Sequence, residues 1–169
     1  MKNSSLSLSG LHQVLSRNKR EIKGWQAGIF TAVGALGFAD ALYLTIQHYQ
    51  HVIPPCTIEG CETVLTSAYS VILGVPVSLL GAVFYACVIA LSIVYIDKRN
   101  YKVLNALFLV THLGLIASLY FLFLQAFVIN AWCQYCLLSA ATSIILWLKA
   151  RWFSRKAVTI AVEPVSISS

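Results

Sequence analysis

The residues with the most chemistry in them are five cysteines: Cys56, Cys61, Cys87, Cys133 and Cys136. The last two stand in the run Trp132-Cys133-Gln134-Tyr135-Cys136. On a helix, positions i and i+3 share a face. In a first turn the unpaired N–H groups favour a thiolate. That is the setting of a redox-active dithiol, although zinc sites use the same spacing. Cys56 and Cys61 are separated by Thr57-Ile58-Glu59-Gly60. A disulfide needs Cα atoms within about 4.4–6.8 Å, and four intervening residues with a glycine among them can meet that. Two pairs suggest a relay, in which a thiolate attacks in line with a disulfide. A mobile pair can meet a soluble protein, and a helix-anchored pair can meet a lipid-soluble acceptor. With no haem, flavin or iron–sulfur motif in the chain, a quinone is the simplest two-electron acceptor that lives in a bilayer. The rival is metal: four thiols with His48 and His51 nearby could hold zinc. A closed structural zinc site, however, gives an apolar bundle no purpose, and no residue is assigned as a metal ligand. Cys87 is expected to be a small apolar residue in a packed interior.

These pairs must be held by an unusual chain. Of 169 residues, 59% are hydrophobic and 11% charged, against roughly 25% charged in soluble domains. This excludes an ordinary globular enzyme, and it excludes disorder. The net charge of +6 would suggest nucleic acid in a soluble protein, but its placement points to a membrane. All Lys and Arg fall in three blocks: Lys2 to Lys23, Lys98 to Lys102, and Lys149 to Lys156. Each interval between blocks suits two crossings of ~20 residues. The expected spans are Gly24 to Gln47, Pro76 to Ile96, Val103 to Phe127 and Ala131 to Leu148. The positive-inside rule then puts every basic block in the cytoplasm. The loops His48 to Val75 and Val128 to Asn130 face outward. The first span is too long for a signal-peptide core. The fold class expected is an all-α integral membrane protein: a four-transmembrane-helix bundle with a short amphipathic outer-loop helix and both termini cytoplasmic. Residues 1–23 and 149–169 read as tails, and residues 24–148 as the membrane domain.

Within the outer loop (residues 48–75), Pro54-Pro55 forces an extended approach. After Cys61, the positions Val64, Leu65, Ala68, Tyr69, Ile72 and Leu73 recur at helical spacing. Thr63, Thr66, Ser67 and Ser70 occupy the other face. Gly74 would stop this helix and Pro76 would start the next span. The helix is expected to lie as a lid over the mouth of the bundle. Asp40 is an acid inside an apolar run, a functional candidate by default. Its expected place is inside the bundle, hydrogen-bonded to a neighbour. His112 is expected to be a packed or hydrogen-bonded residue.

Taken together these residues resemble the vitamin K epoxide reductase family, in the form of a bacterial homologue without a fused thioredoxin domain. The resemblance rests on Cys56 and Cys61 followed by Ser67, on Gly74-Val75-Pro76, and on Ser78-Leu79-Leu80-Gly81 leading to Phe84-Tyr85. It rests also on Cys133-Gln134-Tyr135-Cys136 and on Asp40-Ala41-Leu42-Tyr43-Leu44-Thr45 in the first span. It covers about Gly24 to Leu148. It implies a four-helix bundle around a quinone, either ubiquinone or menaquinone. Cys56 and Cys61 match the loop cysteines that exchange disulfides with a thioredoxin-fold partner. Cys61 matches the one that links transiently to Cys133. Cys136 and Ser67 match residues beside the quinone ring. Vertebrate members carry an asparagine and a tyrosine where this chain has Val77 and Ala140. That difference favours the bacterial role, oxidation of a separate DsbA-like protein at the inner membrane with the active cysteines on the periplasmic or extracellular side. The alternatives are quinone or vitamin K epoxide reduction as the physiological task, a DsbB-type bundle, or a metal-binding membrane protein. The DsbB pattern usually has its two cysteine pairs in the opposite order.

Overall fold

In lipid a backbone must satisfy its own polar groups, so long apolar runs become helices. The computed structural model describes residues 24–98 and 101–162, with side chains for 28–98 and 102–152. The expected tail at 1–23 lies outside the described residues. Four long helices carry the fold: α1 (Gly24–Tyr49), α3 (Val77–Lys98), α4 (Tyr101–Phe123) and α5 (Gln134–Val162), with a short α2 (Cys61–Leu65) between the first two. Among the described residues, three segments are long and apolar enough to cross a membrane: Gly28–Tyr49, Val77–Lys98 and Lys102–Ile129. α5 is long enough at 29 residues. Ser139, Thr142, Ser143, Lys149 and Arg151 make it less apolar than the other three. It also continues past Leu148, where the fourth span was expected to end.

Each helix buries one stripe at the 3.6-residue period. On α3 the stripe is Ala82, Tyr85, Val88, Ser92 and Tyr95. It meets Phe30 and Ala41 of α1, Leu104 and Leu107 of α4, and Leu146 and Ala150 of α5. The opposite faces stay apolar: Leu36, Leu109 and Ile116 are 65%, 63% and 64% exposed. An outward face of this kind belongs in hydrocarbon. α1 packs chiefly on α3, and α5 on α4 and α1. Gly37 permits the first contact, since a Cβ there would fall 2.3 Å from the Tyr85 ring. The Tyr85 hydroxyl then donates to the Ser139 carbonyl at 2.6 Å and lies 2.6 Å from Thr142 Oγ1 and 3.0 Å from Ser143 Oγ. A buried phenol needs such partners, and these bind α3 to the polar face of α5.

The outer loop departs from the expected amphipathic helix. α2 ends at Leu65, a 3₁₀ turn spans Ala68–Ser70, and a two-stranded hairpin follows. In it β1 (Val71–Ile72) pairs antiparallel with β2 (Val75–Pro76). Hydroxyl side chains break the helix: Thr66 Oγ1 donates to the Glu62 carbonyl at 2.7 Å, and Ser67 Oγ to that of Val64 at 2.8 Å. Such back-bonds compete with helix continuation, and Ser67 turns to extended backbone. Leu73 and Gly74 both have positive φ, 52° and 82°, as a tight two-residue hairpin requires. At the far end of α4 the chain widens into a π-helical turn, Leu124–Ile129, which stops at left-handed Asn130.

Candidate active site

Cys133 lies one residue ahead of α5, not within its first turn as expected. Its carbonyl accepts the first helical bond, from Leu137 N–H at 2.9 Å, which makes it the N-cap. Its own N–H donates to the Gln125 side-chain oxygen at 3.0 Å. The side chain is fully buried. A hydrogen bond from the Cys136 thiol is the strongest influence holding the Cys133 thiol below its ordinary range. Burial opposes this, and the backbone N–H groups of Cys136 and Tyr135 add to it. A thiolate here takes the place of the oxygen that usually caps a helix. The N-terminal residues of α5 thus polarise the pair that the sequence singled out.

Cys56 and Cys61 are joined, with Cα atoms 6.4 Å apart. Cys61 is 2% exposed and shares one buried cluster with Val64 and Cys133, with Cys56, Tyr135 and Cys136 packed around it. The structure therefore brings all four predicted cysteines together. Gly60 makes this approach possible. Its φ is +104°, and a Cβ would lie 3.1 Å from both Ala131 Cβ and Trp132 N. Gln134 and Tyr135 hold the loop from the other side. Thr57 N–H and Oγ1 donate to Gln134 Oε1 at 3.0 and 2.5 Å, and the Tyr135 hydroxyl donates to the Pro55 carbonyl at 2.8 Å. The residues between the two inner cysteines thus grip those flanking Cys56.

Below the sulfur cluster lies a cavity of about 1160 Å³. Its walls come from α1, α3, α4 and α5, and loop residues 64–72 roof it. The lid is therefore where it was expected, though not in the form expected. Cys136 lines the cavity and Cys133 does not, so the pair has one sulfur toward the loop and one toward the cavity. Ser67 is also in the wall. Its proton is engaged by Val64, so it must rotate to donate inward. Val77 and Ala140 line the same space and are apolar there. Apolar walls with a few convergent polar groups suit a largely apolar small molecule.

Other expected residues fall elsewhere. Cys87 is exposed on α3, not packed inside, because its position falls off the buried stripe. His112 Nδ1 lies 2.6 Å from the Phe108 carbonyl, hydrogen-bonded as expected and outside the cavity wall. His48 and His51 line the cavity mouth. Among the described residues no group of three or more His, Cys, Asp or Glu side chains is placed to hold a metal. Asp40 points inward as expected, but its Oδ2 finds no hydrogen-bond partner. Sequence reasoning passed over Gln125, Gln134 and Tyr135. For Gln125 a signal existed, since it is the one amide near the end of the third apolar run.

A disulfide and a dithiol packed together at one end of an apolar helical bundle define a membrane oxidoreductase of the thiol–disulfide kind. Residues 29–150 match the Vitamin K epoxide reductase family, and the chain belongs to that family. It is also 36% identical over 119 residues to Thiol-disulfide oxidoreductase LTO1 of Arabidopsis thaliana. That match covers 64% of this chain and 31% of LTO1, so the chain spans about a third of the length of that relative.

Proposed function

We propose that the protein oxidises a separate DsbA-like, thioredoxin-fold partner and passes the electrons through two cysteine pairs to a membrane quinone, driving disulfide formation. The observation that carries this reading is the division of labour at the inner pair. Cys133 is buried against Cys61, and Cys136 opens on the apolar cavity. Residues 24–148 form the redox unit, α5 is its fourth span, and both termini are cytoplasmic. The sulfur cluster then faces the periplasm or exterior of a bacterial inner membrane.

Each exchange has a residue placed for it. A partner thiolate attacks Cys56, the more accessible sulfur of the loop pair, because Cys61 is buried. This forms a partner–Cys56 disulfide and frees the Cys61 thiolate beside Cys133. Cys61 attacks Cys133 of an oxidised inner pair, giving a Cys61–Cys133 bond and releasing Cys136 toward the cavity. The partner's second thiol recovers its own disulfide and frees Cys56. Cys56 then closes on Cys61 and releases Cys133. The result is a joined loop pair over a reduced inner pair. A quinone, when bound, supplies a two-electron sink. Ser67 and the residues around Cys136 would hold it, and the loop would exclude water.

The test is anaerobic mixing of the protein with a reduced DsbA-like partner and a water-soluble quinone, read by quinol absorbance. Quinol forming in step with partner disulfide is the expected result. Partner oxidation at full rate in Cys61→Ala would overturn the relay.

A further inference from the structure

Resting on the quinone reading, we propose that Asp40 is a proton donor for that reaction, delivering to the acceptor the proton that Cys133 does not carry. Reducing a quinone to a quinol takes two electrons and two protons. The inner pair supplies both electrons as its disulfide forms. The Cys136 thiol and the first N–H groups of α5 favour the thiolate of Cys133, and a pair that reacts in that form brings one proton, on Cys136, rather than two. The balance is one Cys133 thiolate, one Cys136 thiol, one Asp40 carboxylic acid and one quinone going to one disulfide, one Asp40 carboxylate and one quinol. Charge is −1 on each side.

Asp40 is placed for this. It is 8% exposed and lines the cavity that Cys136 lines, and its Oδ2 has no hydrogen-bond partner. An ionised carboxylate with an unpaired oxygen in an apolar interior is disfavoured, which favours the neutral acid. Its charge, once formed, bears on Cys133 and on Tyr135. Tyr85 also lines the wall, but its hydroxyl is committed to Ser139, Thr142 and Ser143. Along the same face of α1 the wall runs through Leu44, Gln47 and His48 toward exposed His51. This gives Asp40 a route to regain its proton from the outer side.

The test uses the full chain with Asp40→Asn and Asp40→Glu. Infrared spectra of the reduced wild type, without quinone, should show a carboxylic-acid carbonyl band that shifts in D₂O and is missing from Asp40→Asn. In single turnovers from the prereduced inner pair, Asp40→Asn should form quinol ~100-fold more slowly, within the range for losing a general acid, and Asp40→Glu should recover much of the rate. Trapping of the Cys61–Cys133 bond should be unchanged in both variants. If Asp40→Asn fails to trap that bond through misfolding, the wild-type band and Asp40→Glu decide. Wild-type turnover with an unslowed Asp40→Asn, or no acid band, overturns this inference alone. A wild type that reduces no quinone overturns the quinone reading, and this inference with it.

Discussion

The loop pair and the inner pair are five and three residues apart in sequence, but they are supported in different ways. Cys56 sits on irregular chain and Cys61 opens a five-residue helix, held by a left-handed glycine and hydrogen bonds borrowed from the other pair. Cys133 and Cys136 sit at the head of a 29-residue helix, with the Cys133 N–H anchored on Gln125 and its sulfur on helix N–H groups. Chain with few buried contacts opens at low free energy, and a packed helix does not. In the proposed relay, the loop pair therefore moves to meet a protein while the inner pair stays fixed to receive electrons. One consequence is that the inner pair is needed for every route, whereas the loop pair is needed only for routes that begin at a protein.

The largest expected effect tests that asymmetry. Cys133→Ser and Cys136→Ser should reduce quinone reduction to background with any donor. Cys61→Ala should abolish partner-driven reduction and leave a substantial rate with a small dithiol. Parallel assays with the protein partner and with dithiothreitol measure both. Equal loss in the two assays for Cys61→Ala would mean that the loop pair is part of the quinone site.

The next effect concerns what holds the pairs together. Gly60→Ala should strain a residue at φ +104° and press a methyl on the Ala131 side chain and the Trp132 backbone. A non-glycine residue in sparsely populated backbone geometry costs about 1–3 kcal/mol. The expected outcome is a transfer from loop pair to inner pair slower by about 5- to 150-fold, since each 1.36 kcal/mol is tenfold. Dithiothreitol-driven turnover should be nearly unchanged. Rapid-quench trapping of the Cys61–Cys133 bond checks it.

The same contrast explains what could be read from the sequence. The apolar runs, the gaps between basic blocks and the inner cysteine pair are local signals, and the structure puts long helices on all four expected spans. The loop was harder. Val64, Leu65, Ala68 and Tyr69 fit a helical period, yet Thr66 and Ser67 spend their hydroxyls on backbone carbonyls, and Leu73-Gly74 makes a hairpin. Periodicity weighs apolar spacing and does not register that competition. The grip of Gln134 on Thr57 joins residues 77 apart, and no local pattern announces such a pairing. Asp40 stood out as an acid in an apolar run, but its missing partner is a property of the packed bundle alone.

A titration sharpens the comparison from the inner side. In a Cys87→Ser background with the loop pair intact, thiolate ultraviolet absorbance should rise by one thiolate with a midpoint below the ordinary cysteine value of ~8.5. Because the folded value is depressed, the thiolate cap stabilises the reduced protein fully above the unfolded value. That stabilisation is lost as pH falls through the folded one. Cys136→Ala removes the S–H donor and should move the midpoint upward. An unmoved midpoint would leave the backbone N–H groups as the whole cause.

The smallest expected effect belongs to the grip. Tyr135→Phe deletes one hydrogen bond to the Pro55 carbonyl, and Thr57→Val deletes the hydroxyl bond to Gln134. Both sites are partly open to solvent, so water replaces the lost partner. Each change should therefore cost no more than about 0.5–1.5 kcal/mol. The fold, the cavity and the inner pair are untouched, so dithiothreitol-driven quinone reduction should stay at the wild-type rate. The loop should open more often, giving a few-fold slower loop-to-inner transfer and faster amide hydrogen exchange at residues 56–61. Thr57→Val and Tyr135→Phe act through different loop residues on one docked state, so the double variant separates two cases. Additive losses mean two independent tethers, whereas a double variant no worse than either single means one docking event in which both bonds form or break together.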